Sequence, residues 1–318
     1  GDVMLGRLVD ERQRTRGTTA VWGDLLADLQ ALDGVCINLE CCLSTRGEPW
    51  HRTYRPYLFR ADPDWAVPAL TAANVAVAVL ANNHVLDYDE RALLDTLDAL
   101  DGADIPRAGA GRDREEAFRP VTFEAGDLTV GVLSLTDNTP EYAAGPDSPG
   151  TAHVAFDVDD PDTTRAVRAA LDALDADLTV ASLHWGPNMR VEPPAAFRRF
   201  GRWLVRAGVD VVHGHSAHVF QGIQVYRGHP ILYDTGDFVD DYAVDQQLRN
   251  DRSFLFELEL DGTRPTNLRC RPTEIDGMAV HHASPAVAAW CRETMRDRSG
   301  RFGTRFERDG ESLVVPLA

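Results

Sequence analysis

Side chains able to bind metals or move protons recur in this sequence at the ends of short apolar runs. "DLTVASLHW" (177–185) delivers His184, and "VVHGHSAHVF" (211–220) carries His213, His215 and His218. Neutral imidazole ligates divalent metals and carries protons near neutral pH. Gly214 permits a tight loop from which His215 and His218 can converge on one cation, while His213 lies inside the apolar run and reads as structural. In "LANNHVLDYD" (80–89), Asn83 offers a carbonyl oxygen to a metal and His84 can protonate a leaving group. Asp87 follows His84 by three residues at a helix start, where i,i+3 geometry lets a carboxylate orient the ring. Glu40 closes "GVCINLE" (34–40). A carboxylate buried there without a cation is costly. Asp2, behind Gly1, reads by itself as a turn or cap residue. A lone histidine of this kind would read as a satisfied core residue, but the repetition along the chain reads as a site. His51, His153, His229, His281 and His282 fall outside the pattern, as surface or loop residues.

The runs that carry these residues are rich in Val, Ile and Leu, as strands buried on both faces are. Strands are expected at 34–40, 74–83, 128–137, 177–185, 209–215 and 229–238, with helices at 90–100, 163–176 and 197–208. A late strand (253–260) and a closing helix (284–297) follow. This alternation is that of an α/β domain with a mostly parallel core. In open α/β sheets, ligands gather at the carboxyl ends of the strands. No internal repeat or low-complexity linker divides the 318 residues, so a single domain is expected.

Composition narrows the function classes. All 32 basic residues are arginine, against 50 acidic ones, for a net charge of −18. A lysine-free acidic surface stays hydrated where salt screens charge, which reads as adaptation to the salty cytoplasm of a halophilic archaeon. No nucleic-acid partner is expected, since phosphate backbones need a basic face. Cys36, Cys41, Cys42, Cys270 and Cys291 form no CxxC pair and read as reduced thiols. No apolar run reaches membrane-span length and no signal peptide is visible, so a cytoplasmic location is expected. The chain opens inside a motif, and a membrane-associated or extracellular location would follow from an N-terminal segment ahead of Gly1.

In combination, GDVML (1–5), NLE (38–40), ANNHVLD (81–87), HWG (184–186), GHSAHV (214–219) and YDTGDFV (233–239) resemble the motifs of the CapA family. That is a family of capsule-synthesis, or poly-γ-glutamate biosynthesis, proteins, similar to calcineurin-like metallophosphoesterases. The resemblance runs from Gly1 to about Asp241. It implies a layered α/β/β/α metallophosphoesterase-like sandwich. Residues 1–245 would form the CapA-like part, and 246–318 a strand and helix completing the same domain. Carried over, the metal ligands are Asp2, Glu40, Asn83, His184, His215 and His218, with His84 as general acid oriented by Asp87. Two divalent cations are implied, and mixed nitrogen and oxygen ligation suits Mn, Fe or Zn. Trp185 would shape the pocket wall. Arg7 would grip an anionic substrate, because guanidinium matches carboxylate or phosphate as a fork.

The motifs depart from the family pattern in three places. Met4 stands where metallophosphoesterases place a histidine, Asn188 follows HWG where an acid is common, and Asp237 replaces the Asn of GNF. Asp237 is expected to add a carboxylate to the site rim. The implied function is hydrolysis of a phosphoester or γ-glutamyl bond by a dinuclear metal-dependent enzyme. Its partner would be an anionic polymer or phosphorylated substrate. The alternative is a non-catalytic accessory subunit that binds polymer or a capsule synthase.

Overall fold

"VAVAV" (75–79) shows how the core is built. Side chains alternate faces along a strand, and here Ala78 packs with the helices flanking its sheet while Val77 and Val79 pack toward a second sheet. The computed structural model describes residues 1–317. The first sheet is wholly parallel, in the order Asp237–Val239, Asp2–Val3, Val35–Leu39, Val75–Val79 and Arg107–Ala108. The second runs Ile223–Tyr226, His229–Leu232, Val211–His215, Leu178–His184, Leu128–Thr136 and Val121–Ala125. Its four inner strands are parallel and its two edge strands antiparallel. Val130, Val132 and Leu178 of this sheet meet Val77 and Val79 of the first.

Helices cover both sheets. Pro63–Ala72 and Asp89–Asp101 contribute Leu70, Leu93 and Leu97 to the cluster on the first sheet. Pro161–Asp172 and Ala195–Arg206 contribute Val167, Phe200 and Leu204 to the second. Asp62 and Asp160 cap two of these helices by accepting main-chain N–H bonds, relieving donors with no partner inside the helix. Among the described residues no helix is long and apolar enough to cross a membrane.

Two expectations are corrected. The run 229–238 is not one strand: His229–Leu232 lies in the second sheet and Asp237–Val239 in the first. The chain crosses between sheets through Gly236, whose φ of +64° suits glycine. The C-terminal part is more than a strand and a helix. Arg252–Asp261, Arg264–Asp276, Ser312–Pro316 and Glu307–Asp309 form an antiparallel third sheet, with Ala279–His282 also paired to Arg264–Asp276. It packs with helix Pro285–Gly300 through Phe254, Leu268, Cys291 and Met295.

Candidate metal centre

Parallel register explains why the polar strand ends meet. Asp2 pairs with Asn38 on one side and Asp237 on the other, and His184 pairs with His215 in the second sheet. Ligand atoms of Asp2, His184 and His215 lie within 4.8 Å of one another, as do those of Asp2, Glu40 and His218. Both groups are buried, and Asp2 belongs to each. Asn38 Nδ2 donates to Asp2 Oδ1 (2.8 Å) and Glu40 Oε2 (3.0 Å), and Asn82 Nδ2 donates to Asn38 Oδ1 (3.0 Å). Asp2 Oδ2, Glu40 Oε1, Asn83 Oδ1 and Asp237 Oδ2 remain buried without a hydrogen-bond partner. Orphaned buried oxygens are rare and costly, and the three on Asp2, Glu40 and Asp237 meet at one cluster and fit a site for cations.

The histidines are in the state that ligation requires. Burial holds His184 and His215 well below the ordinary imidazole range, with His218 adding to the effect on His184. They are therefore neutral near pH 7, with lone pairs available to a metal. His184 Nδ1 and His215 Nδ1 lie 2.9 Å apart, and Ser182 Oγ reaches His215 Nε2 (3.0 Å) and His213 Nδ1 (2.9 Å). His218 Nδ1 is 2.8 Å from Asp237 Oδ1 and 3.6 Å from Asp2 Oδ2. His84 Nδ1 bonds Asp87 Oδ2 (2.6 Å), while its Nε2 lies 3.9 Å from Glu40 Oε1. Asp87 is itself held by the Phe59 N–H (2.7 Å) and the Tyr142 hydroxyl (3.2 Å).

The other sequence-derived positions divide. Arg7 lies one aromatic ring away, its guanidinium over Phe59, whose ring contacts His84. Asp237 is buried against His218 instead of standing at a rim. Trp185 is not brought into the cluster: its indole packs with Phe156 and Phe197 and donates to the Tyr233 carbonyl (2.7 Å). Gly214 makes room for it, since a Cβ there would lie 2.7 Å from the indole nitrogen. Met4 is core and Asn188 exposed. All five cysteines are free. Sequence reasoning assigned no role to Asp234, which accepts from Ala217 N (2.7 Å) and Gly236 N (2.8 Å) and so ties the His215–His218 loop to the sheet crossing. The positive φ of Ser216 and His218, +116° and +59°, shows why that loop needs a tether.

Residues 1–242 match the family model described as bacterial capsule synthesis protein PGA_cap. The chain belongs to this family. The CapA assignment read from the motifs is thereby borne out over nearly the same span. A relative described as a probable polyglutamine synthesis accessory protein, from Mycobacterium tuberculosis (strain H37Rv), is 35% identical across 100% of this chain and 95% of its own. PGA biosynthesis protein CapA of Bacillus subtilis (strain 168) is 28% identical, covering 90% of this chain and 72% of its own. Capsule biosynthesis protein CapA of Bacillus anthracis is 30% identical over 76% and 58%. A hypothetical protein from Thermus thermophilus shares the fold, with a TM-score of 0.51 at 17% identity over 81% of this chain and 94% of that one.

Protonation in this PGA_cap site predicts a pH signature. Burial, reinforced by Asp2, raises Asp234 to about 7 and Glu40 well above the carboxylate range. Burial and Asp2 likewise raise Asp237. Carboxyls with raised folded pKa stabilise below the unfolded pKa and lose that contribution as pH rises through the folded one. The depressed histidines act oppositely, but their contribution is complete above 6.5, their unfolded value. Metal-stripped protein should therefore lose stability as pH rises from 6.5 through about 7, where Asp234 ionises. Metal-loaded protein should not, because deprotonation strengthens ligation. Thermal melts with and without chelator check this; parallel curves would remove the metal from the explanation.

Proposed function

We propose that this chain is a dinuclear metal-dependent hydrolase of a phosphoester or γ-glutamyl substrate in capsule or poly-γ-glutamate metabolism. The observation that carries the reading is the pair of buried ligand groups sharing Asp2, with orphaned oxygens, beside a histidine oriented by its own carboxylate. Asp2, Glu40, Asn83, His184, His215 and His218 would hold the cations, with Mn, Fe or Zn suited to this thiolate-free donor set. When bound, such cations supply a water of lowered pKa and polarise the electrophile. Asp87 keeps a proton on His84 Nδ1, which fixes the tautomer and leaves Nε2 facing Glu40 and the site. Protonated Nε2 gives its proton to the departing oxygen or nitrogen. Arg7 takes an anionic part of the substrate, and Asp237 aligns His218. The reading includes an α/β/β/α layering over 1–245, completed by 246–318.

The accessory-subunit reading stands second, favoured by the word "accessory" in the name of the mycobacterial relative. In it, the cluster binds polymer or synthase without turnover. The two separate on metal-replete protein incubated with poly-γ-glutamate, read by chain length, and with phosphomonoesters and phosphodiesters, read by released alcohol. Turnover that follows metal loading supports the hydrolase. Full metal occupancy with no turnover of any of them overturns it.

A further inference from the structure

Arg7 has a backbone conformation, φ 55° and ψ −126°, that a residue with a Cβ disfavours. Such strain persists only where the surroundings impose it, and it concentrates at functional sites. The surroundings are explicit. The Leu8 N–H donates to Asp241 Oδ2 (3.1 Å), and the Arg7 Nε lies 3.3 Å from the same oxygen. The guanidinium carbon sits 4.7 Å from the Tyr57 ring centroid, 4.8 Å from Phe59 and 6.0 Å from Tyr242. Two of those rings also touch the candidate centre: Phe59 packs edge-on to His84 at 4.6 Å, and Tyr242 to His218 at 4.9 Å. Arg7 Nη1 is buried with no hydrogen-bond partner, although the side chain as a whole is 26% exposed.

A cation caged by aromatic rings, holding an unused donor beside proton-transfer machinery, is a receptor for an anion. Its borders define which anion. Leu8, Tyr57 and Val244, at 44%, 49% and 40% exposure, are among the few large apolar side chains left open, and they fall beside Arg7 and Tyr242 in space or sequence. Asp241 already offsets the one positive charge. The receptor therefore suits a singly charged group on an apolar stem better than a compact dianion, which the adjacent cations would draw to themselves instead.

We propose that Arg7 is a specificity-determining residue, held in a strained conformation to receive a carboxylate carried on an aliphatic stem. This rests on the reading of the site as one for an anionic substrate, and it selects the γ-glutamyl class over a phosphomonoester.

The test uses metal-loaded full chain, with calorimetric binding of a γ-linked glutamate tetramer and of inorganic phosphate. Arg7→Ala and Arg7→Gly should each weaken tetramer binding about 10-fold or more, the scale of a lost charge-assisted pair, and leave phosphate binding unchanged. Arg7→Gly should melt at least about 2 °C above Arg7→Ala, since glycine alone accepts this conformation freely. A purely structural Arg7 would move the melting temperature without moving tetramer affinity. Unchanged tetramer affinity overturns the receptor, equal loss of phosphate overturns its selectivity, and Arg7→Gly melting with or below Arg7→Ala overturns the strain. Absence of turnover by the wild type, with these affinities still responding, would sink the hydrolase and leave this proposal standing.

Discussion

Asp2→Ala should empty the whole metal centre in a single substitution, taking metal content from about two equivalents to near zero. His184→Ala should retain about one equivalent. The asymmetry follows from sharing. The Asp2–His184–His215 and Asp2–Glu40–His218 groups overlap only at Asp2, so losing His184 leaves the second intact. Loss of Asp2 also frees Asn38, whose amide divides its donors between Asp2 and Glu40 and keeps one oxygen of each turned away from it. Elemental analysis of both variants, purified without chelator and checked for native melting, reads the result. Retention of one equivalent by Asp2→Ala, or complete loss in His184→Ala, would refute the shared carboxylate.

Glu40, His184 and His215 stood out because each closes an apolar run, and a polar side chain at the end of a buried strand has few explanations apart from a site. Asp2 read by itself as a turn residue and joined the candidate set only through the resemblance to the CapA family. Register did the rest, and the sequence carries no direct sign of register. Nothing in "GDVML" or "DTGDF" says that Asp2 will lie beside Asp237, or that Asn38 will bridge two carboxylates. Ser182 left a weak trace, since it precedes His184 by two residues and so shares its strand face. Asp234 left none, because its partners are main-chain N–H groups across a loop.

Trp185 shows the opposite failure. Its neighbour His184 is in the cluster, but alternation sends the next side chain to the other face, where Phe156 and Phe197 wait. The third sheet was hidden for a different reason. "RPTNLRCRPTEID" (264–276) is polar, half-exposed and holds two prolines, which demote a strand assignment. Yet Pro272 pairs opposite Phe254 and Leu268 opposite Leu258, so pairing to a neighbour that is itself apolar decides the matter.

His84→Ala should lower kcat by about 10²–10⁴-fold on whichever ester or amide the wild type turns over, with both metals retained. Retention is expected because His84 belongs to neither ligand group, its Nε2 standing 3.9 Å from Glu40 Oε1. Asp87→Asn should approach the same loss for a separate reason. Asp87 Oδ2 accepts from both His84 Nδ1 (2.6 Å) and the Phe59 N–H (2.7 Å), which the single oxygen of an amide can match only by turning its NH₂ toward the Tyr142 hydroxyl. Even then the neutral amide no longer stabilises the imidazolium that must form before proton delivery. Rates of both variants, with metal content measured alongside, separate a lost or misoriented proton donor from a lost cation. Tyr142→Phe, which removes only the 3.2 Å contact to Asp87 Oδ1, should cost a few-fold at most. If His84→Ala instead released metal in proportion to its loss of rate, His84 would be a ligand, and the proton donor would have to be sought elsewhere around Glu40.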